Sequence, residues 1–241
     1  MAELDDRPGF RRRFRVTPSA GEATAELEDD FHCMRVTLRH DGAVITAVEG
    51  EVLRAPWNTC PDAAAQLRRT FTGVRLDAAA VRGEKSFNCT HLHDLAILAA
   101  THAGDAAPFV VDILVSDPAD GIHEAELRRD GTPILHWTLR GLEIVAPPEL
   151  AGVALRNLRT QIDAMAPADR ENARLLRWAA MVSHGRIIPL AEQSDARHMP
   201  SGSCYTFQPD VARVAHRIGV SRDFSKGEGT PLDGVRPARA G

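Results

Sequence analysis

Met34-Arg35-Val36-Thr37-Leu38-Arg39-His40-Asp41-Gly42-Ala43-Val44-Ile45 carries the clearest structural signal in the chain. Apolar and polar side chains alternate from Met34 to Arg39, which is the period-two pattern of a strand with one buried face. His40-Asp41-Gly42 is typical of a turn, because Asp-Gly favours the positive φ angles of a tight hairpin. The stretch therefore predicts a β-hairpin whose second strand runs to about Leu53.

Further extended and helical segments flank this hairpin. Phe10 to Val16 alternates basic with apolar residues and predicts a strand. Apolar residues recur at three- and four-residue spacing after Pro61 and again from Cys89 to about Ala103, which predicts two helices, the second capped by Asn88. Residues 1–105 are thus expected to form an antiparallel sheet with helices packed on one face.

The second half repeats this change from strands to helices. Three extended segments predict an antiparallel meander, and three helices are expected after it; the strands are 109–115, 122–128 and 134–139, and the helices 149–165, 168–184 and 209–218. The prediction is an α+β fold in which residues 106–241, a second meander plus C-terminal helices, pack onto residues 1–105 as one globular unit.

Composition narrows the function classes. The 241 residues are 44% hydrophobic and 26% charged, with a net charge of -4, and the basic residues are scattered among acidic ones, so nucleic acid is not an expected partner. No export signal or run of eighteen apolar residues occurs, which predicts a cytoplasmic protein with no membrane partner. The four cysteines form no CxxC pair and are read as thiols. A small-molecule substrate is the expected partner, and a homo-oligomer is compatible with the sequence.

Cys89-Thr90-His91-Leu92-His93 is the segment richest in reactive side chains. On the predicted helix, Cys89 and His93 share a face, whereas His91 lies on the opposite flank of the apolar stripe. The helix N-terminus is expected to lower the pKa of the Cys89 thiol and favour the thiolate. His91 suits a general acid or base. The alternative stays open that Cys89 is a small buried hydrophobe and the histidines a solvated face.

Two loops supply the other candidate residues. Cys60 stands in a rigid turn between a strand end and a helix start, where it is either a third catalytic residue or part of a helix cap. Arg54 and Trp57 precede it and are candidates for substrate binding. Tyr205, the chain's single tyrosine, lies in the loop Pro200 to Pro209, which we expect to fold over the Cys89 region as a lid, or to complete the core. The chain contains no GxGxxG, GxxxxGK[ST], GxSxG or HExxH motif.

The cysteine segments resemble a known family. Arg54-Ala-Pro-Trp-Asn-Thr-Cys60-Pro and Asn88-Cys-Thr-His-Leu92, together with Cys204-Tyr-Thr-Phe-Gln-Pro209 and Arg222-Asp-Phe224, are similar to the bacterial family catalogued as domain of unknown function 2889. The resemblance covers about residues 30–103 and 200–232, and Cys-Thr-His-Leu is its most specific part. It implies no defined activity. Its members are typical of bacteria that degrade aromatic, terpenoid and steroid compounds, which implies a small, hydrophobic substrate.

A second resemblance is to NifU-type iron–sulfur scaffold proteins. Cys33, Cys60 and Cys89 stand around the hairpin in the order of the scaffold's three cysteines, which implies a NifU/SufE-like first half. The chain departs from the pattern at Arg35, where the scaffold has an acidic residue, and Cys60 lacks the preceding glycine. The resemblance thus concerns mainly the fold, and cluster binding to a lesser degree.

Two functions remain open on the sequence. In the first, the protein is a lyase- or isomerase-like enzyme of small-molecule catabolism that acts by acid–base chemistry on an aromatic or terpenoid/steroid-like compound. His91, Cys89 and Cys60 are then catalytic, Arg54, Trp57 and Tyr205 bind substrate, and no cofactor is expected. In the second, Cys60, Cys89 and His93 hold zinc, iron or an iron–sulfur cluster in a carrier or scaffold protein.

Overall fold

The computed structural model describes residues 4–188 and 194–236 of the chain. Its strands are β1 (Gly9–Ser19), β2 (Glu22–Asp29), β3 (Cys33–His40), β4 (Ile45–Arg54), β5 (Phe109–Ser116), β6 (Ile122–Arg129), β7 (Thr132–Arg140) and β8 (Glu143–Ala146). Its α-helices are α1 (Ala63–Phe71), α2 (Leu76–Ala79), α3 (Thr90–Thr101), α4 (Arg159–Asp163), α5 (Pro167–Ser183) and α6 (Pro209–Ala212). The predicted α+β class is therefore confirmed.

The described residues group into two compact units, each taken here by itself. The hairpin unit comprises residues 14–109, 194–222 and 231–236, and its strands lie in the order β4-β3-β2-β1. The meander unit comprises residues 4–13, 110–188 and 223–230, and its later strands lie in the order β5-β6-β7-β8. The packing of the two predicted halves as one globular body stays a prediction.

The predicted hairpin of β3 and β4 is confirmed. β3 and β4 pair antiparallel, with Leu38 opposite Val48. Asp41 Oδ1 accepts hydrogen bonds from Ala43 N and Val44 N at 2.9 and 2.8 Å, so the turn satisfies its own backbone donors.

Helix α3 packs on the face of β3 that the alternation predicted to be buried. Met34, Val36 and Leu38 are at most 1% exposed, as are Leu92 and Leu95 of the helix stripe. Burying these side chains stabilises the unit by about 1.5–3 kcal/mol each relative to solvent exposure. The contact also sets the position of the helix N-terminus beside the start of β3.

The meander and the long C-terminal helix are also confirmed. β5 to β8 pair antiparallel in sequence order, and α5 packs against β6 and β7. Leu176 and Ala179 of α5 are fully buried, as is Trp137 of β7.

Two predicted helices are wrong. Residues 149–165 contain only short 3-10 turns and α4, because Gly152 takes a positive φ of 82° and its amide bonds Ile144 O, which extends the edge of β8 instead. Residues 209–218 contain only α6, and the backbone of Ile218 bonds Pro56 O. In both places, hydrogen bonds to distant backbone groups override the local helix pattern.

The cap of α3 also differs from the prediction. Cys89, not Asn88, is the N-cap residue, and no side chain caps the helix. Asn88 instead donates to Thr70 Oγ1 and Glu84 O at 3.0 and 2.9 Å. Within the described residues, no helix is long and apolar enough to cross a membrane.

Candidate metal centre

The turn between β2 and β3 places two ligating side chains side by side. Asp29 ends β2, and its Oδ1 accepts hydrogen bonds from Phe31 N at 2.7 Å and from His32 N at 2.8 Å. The same oxygen lies 3.1 Å from His32 Nδ1. This is the aspartate turn geometry in which a side chain replaces a backbone acceptor, and it fixes both Asp29 and the His32 ring.

Arg54, at the end of β4, forms hydrogen bonds to the backbone of this turn. Its Nη1 donates to Asp30 O at 2.9 Å, and its Nη2 donates to Asp29 O at 2.6 Å and His32 O at 3.3 Å. Nη2 also bonds Glu28 Oε1 at 3.1 Å. Arg54, which the sequence predicts to bind substrate, thus holds the turn that carries Asp29 and His32. Its predicted role in substrate binding stays a prediction.

His91 of α3 is the third ligating side chain beside Asp29 and His32. It is the second residue of α3, and the packing of α3 on β3 brings its ring onto that of His32, with centroids 3.8 Å apart and planes inclined by 29°. Asp29 is fully buried, and His32 and His91 are 9% and 8% exposed. Side chains from a turn and from a helix far along the sequence therefore meet in one buried cluster.

These three residues have the composition of a metal site. One carboxylate oxygen and one nitrogen of each ring lie within 4.8 Å of one another. Two imidazoles and one carboxylate are the ligand set of catalytic zinc sites and of non-haem Fe²⁺ sites, both of which keep positions open for water or substrate.

The stacked rings must move apart to share an ion. An ion bound at about 2.0–2.1 Å from a ring nitrogen lies about 3.2 Å from the ring centre, so two rings at a right angle about the ion have centres about 4.5 Å apart. The rings of His32 and His91 are 3.8 Å apart. Metal binding therefore requires an opening of about 0.7 Å or more, which breaks the stack.

The predicted cysteines gather near the N-terminus of α3. Tyr205 N donates to Asn88 O at 2.9 Å, so the peptide groups next to Cys204 and Cys89 are hydrogen-bonded. Cys60 Sγ lies 3.6 Å from Thr206 Oγ1. The expected folding of the 200–209 loop onto the Cys89 region is confirmed, and its opening and closing as a lid stays a prediction.

The thiols are protected rather than activated. Burial raises the pKa of Cys89, and the neighbouring Cys60 and Cys204 thiols raise it further. Burial likewise raises the pKa of Cys60, and that of Cys204 to about 11. The expectation that the helix N-terminus lowers the pKa of Cys89 is wrong, because loss of hydration outweighs the two backbone hydrogen bonds that favour the thiolate.

The other predicted residues have structural partners. His93 is 1% exposed, its Nε2 lies 2.9 Å from Gly83 O, and its ring packs edge-on against Phe71 at 5.1 Å. Trp57 is buried and packs edge-on against Phe207 at 5.6 Å. Of the predicted site residues, His91 is the one that joins Asp29 and His32 in the buried cluster.

Asp29 and His32 are not among the residues predicted from the sequence. The segment Asp29-Asp30-Phe31-His32 lies within residues 10–54, whose pattern is largely that of extended chain. Two successive aspartates between alternating segments are a turn signal, since an aspartate side chain can bond backbone amides two and three residues on. That signal locates the turn, although nothing local connects it with His91.

Comparison with known proteins adds no assignment: no family model matches the chain, and no curated protein matches it.

Proposed function

We propose that this protein is a metal-dependent enzyme that acts on a small, largely apolar molecule, with one divalent transition-metal ion bound by Asp29, His32 and His91. The observation that carries the proposal is the convergence of three buried ligating atoms within 4.8 Å. Burial supports it as well, because exclusion of water strengthens the electrostatic effect of an ion on a bound ligand.

The surroundings hold two of the three ligands in place, whereas His91 has to move away from the His32 ring when an ion binds. Asp29 and His32 are fixed by backbone hydrogen bonds and by the guanidinium of Arg54. An ion at this place binds three protein ligands and keeps positions for a water or a substrate oxygen. Held by Asp29, His32 and His91, a Zn²⁺ or Fe²⁺ ion would supply Lewis-acid chemistry, which suits acid–base reactions of the lyase or isomerase type.

The substrate class is part of the proposal and rests on the sequence resemblance alone, since no family model matches the chain. The similarity of Cys89-Thr-His-Leu92 and of the Cys60 segment to the domain of unknown function 2889 family favours an aromatic or terpenoid/steroid-like compound in a catabolic route. His91 lies within that similar segment. The family likeness and the buried cluster thus meet at one residue.

Cobalt titration tests metal binding directly. Bound metal is removed with a chelator, and the protein is then titrated with Co²⁺. The visible absorption of Co²⁺ reports whether nitrogen and oxygen ligands bind it with a low coordination number. We expect saturable absorption, and a loss of at least ~100-fold in affinity for His91→Gln and Asp29→Asn, since each removes one of three ligands. His93→Gln is the matched control, because His93 is buried on the same helix and outside the cluster.

The outcome is unambiguous for folded variants, which circular dichroism and the melting temperature identify. Equal Co²⁺ affinity for the wild type, His91→Gln and Asp29→Asn would overturn the proposal. Loss of affinity in His93→Gln alone would move the site to the alternative predicted from Cys60, Cys89 and His93.

A metal-free acid–base enzyme is the second candidate, and one hydrogen bond favours it. Asp29 Oδ1 lies 3.1 Å from His32 Nδ1, and a carboxylate can only accept, so the ring donates from Nδ1 and carries its lone pair on Nε2. This carboxylate–imidazole pair is the arrangement that orients a general base. His91, the residue first predicted for that role, then lies stacked on the base.

The two candidates separate in one experiment once a turnover assay exists. Activity that survives complete metal removal, and is lost in both His32→Gln and Asp29→Asn, supports the second candidate. Activity that disappears with the metal and returns with Zn²⁺ or Fe²⁺ supports the first. A thiol-based iron–sulfur scaffold has weaker support, because His93 already bonds Gly83 O and the thiols are desolvated.

A further inference from the structure

A second pair of histidines lies in the meander unit. His123 is on β6 and is 5% exposed, and His184 directly follows α5 and is half-buried. Their ring centroids are 5.6 Å apart and their planes are inclined by 36°. α5 packs on β6 within this unit, so the two rings are brought together by the packing of a helix end on a strand.

The hydrogen bonds of both rings define which nitrogen is left for a ligand. His123 Nδ1 lies 3.1 Å from Ser116 O, and His184 Nδ1 lies 3.4 Å from Ala180 O. A carbonyl oxygen only accepts, so both rings donate from Nδ1 and carry the lone pair on Nε2. Metal-binding histidines show this same arrangement, in which the second ring nitrogen donates to a carbonyl and fixes the tautomer.

The separation of the two ring centres matches the separation expected for two imidazoles that share an ion. Ring centres about 3.2 Å from a common ion are about 5.2 Å apart at a tetrahedral angle and at most about 6.4 Å apart. The observed 5.6 Å falls between these values. In this respect the pair differs from His32 and His91, whose rings are stacked at 3.8 Å.

We propose that His123 and His184 bind a second divalent transition-metal ion through their Nε2 atoms, in a site that is independent of Asp29, His32 and His91. Imidazole pairs suit Zn²⁺, Ni²⁺ and Cu²⁺. Among the residues that the structure describes, no third cysteine, histidine or carboxylate joins the pair in a three-ligand group. Water fills the remaining positions, and a small anionic or nitrogen ligand can replace it.

The protonation state of His184 favours metal binding. Burial lowers the pKa of His184, and His123 lowers it further, while the bond to Ala180 O partly offsets both. His184 is therefore neutral at neutral pH, as a metal ligand must be. Arg186, two residues after His184, is already paired, since it bonds Asp117 at 2.8 Å and Asp223 at 3.2 Å.

Metal stoichiometry in a His91→Gln background tests this second site. The full-length variant lacks a ligand of the first site, and equilibrium dialysis against Zn²⁺ is expected to give one bound ion per chain. Adding His184→Gln is expected to weaken binding at least ~10-fold, because one of two protein ligands is lost. His136→Gln is the control, since His136 lies on β7 of the same unit with 51% of its side chain exposed.

A measurement on the unmutated histidines keeps the test valid if a variant fails to fold. Nitrogen-15 spectra of the histidine rings are recorded with and without Zn²⁺, and the Nε2 signals of His123 and His184 are expected to shift together. Zero bound ions in the His91→Gln protein, or Zn²⁺-independent Nε2 signals for both rings, would overturn the second site. Neither result bears on the first site, which is tested by Co²⁺ binding to the wild type, His91→Gln and Asp29→Asn.

Discussion

Replacing Arg54 with lysine tests whether this residue organises the candidate metal centre. The guanidinium reaches four acceptors, namely the backbone oxygens of Asp29, Asp30 and His32 and the Glu28 carboxylate. Its two nitrogens make these bonds in different directions. A lysine ammonium keeps the charge at a single point and cannot reproduce that fork.

The expected cost follows from the bonds that lysine loses. We expect about two of the four hydrogen bonds to survive. A hydrogen bond that involves a charged group contributes about 1.5–3 kcal/mol, and the Arg54 side chain is 19% exposed, so water replaces part of the loss. Arg54→Lys should therefore lower the free energy of unfolding by about 2–4 kcal/mol and Co²⁺ affinity by about 10–100-fold.

Urea unfolding of the metal-free protein gives the first quantity, and Co²⁺ titration of folded protein gives the second. The visible Co²⁺ spectrum distinguishes misplaced ligands from a general loss of protein stability. A displaced Asp29 or His32 alters the ligand geometry around Co²⁺ and hence the shape of the absorption band. Arg39→Lys is the matched control. Its side chain is 60% exposed and makes one ion pair with Glu22, which contributes about 0–1 kcal/mol.

Two results would refute this reasoning. One is an unfolding free energy within about 0.5 kcal/mol of the wild type together with unchanged Co²⁺ affinity. The other is an equal loss in Arg54→Lys and Arg39→Lys.

Two further predictions concern stability in the hairpin unit. Burial raises the pKa of Cys33 from 9.0 to about 12, with a further increase from Glu28, so its contribution to stability is complete below pH 9 and is lost as the pH rises toward 12. Cys33→Ala should thus reduce the fall in unfolding free energy between pH 9 and 10.5 by up to about 1.4 kcal/mol per pH unit, and an unchanged slope in urea unfolding would contradict this. Gly219→Ala should cost about 1–3 kcal/mol, because its Cβ would stand 2.5 Å from Ala55 O. Gly104→Ala should be nearly neutral, because nothing lies within 4 Å of the added Cβ. Urea unfolding compares the two variants, and equal losses of stability would argue against a close contact between residue 219 and Ala55 O.

Local patterns in the sequence were sufficient for most of the regular structure. The alternation from Met34 to Arg39 and the Asp41-Gly42 turn identified the hairpin, because side chains two residues apart on a strand share a face whatever the rest of the chain does. Three- and four-residue spacing identified α1 and α3, because side chains at that spacing share one face of a helix. The pattern failed at 149–165 and 209–218, where backbone groups bond to distant segments.

The candidate metal centre, in contrast, depends on tertiary contacts that local sequence patterns do not reveal. The Cys-Thr-His-Leu segment identifies His91 as a candidate site residue. No local pattern identifies Asp29 and His32, and the sequence predicts substrate binding for Arg54 rather than support of the 29–32 turn. Whether two side chains far apart in sequence meet depends on how α3 packs on β3 and how Arg54 holds the 29–32 turn. Those contacts arise from the burial of apolar surface and the pairing of strands, which no short stretch of sequence encodes on its own.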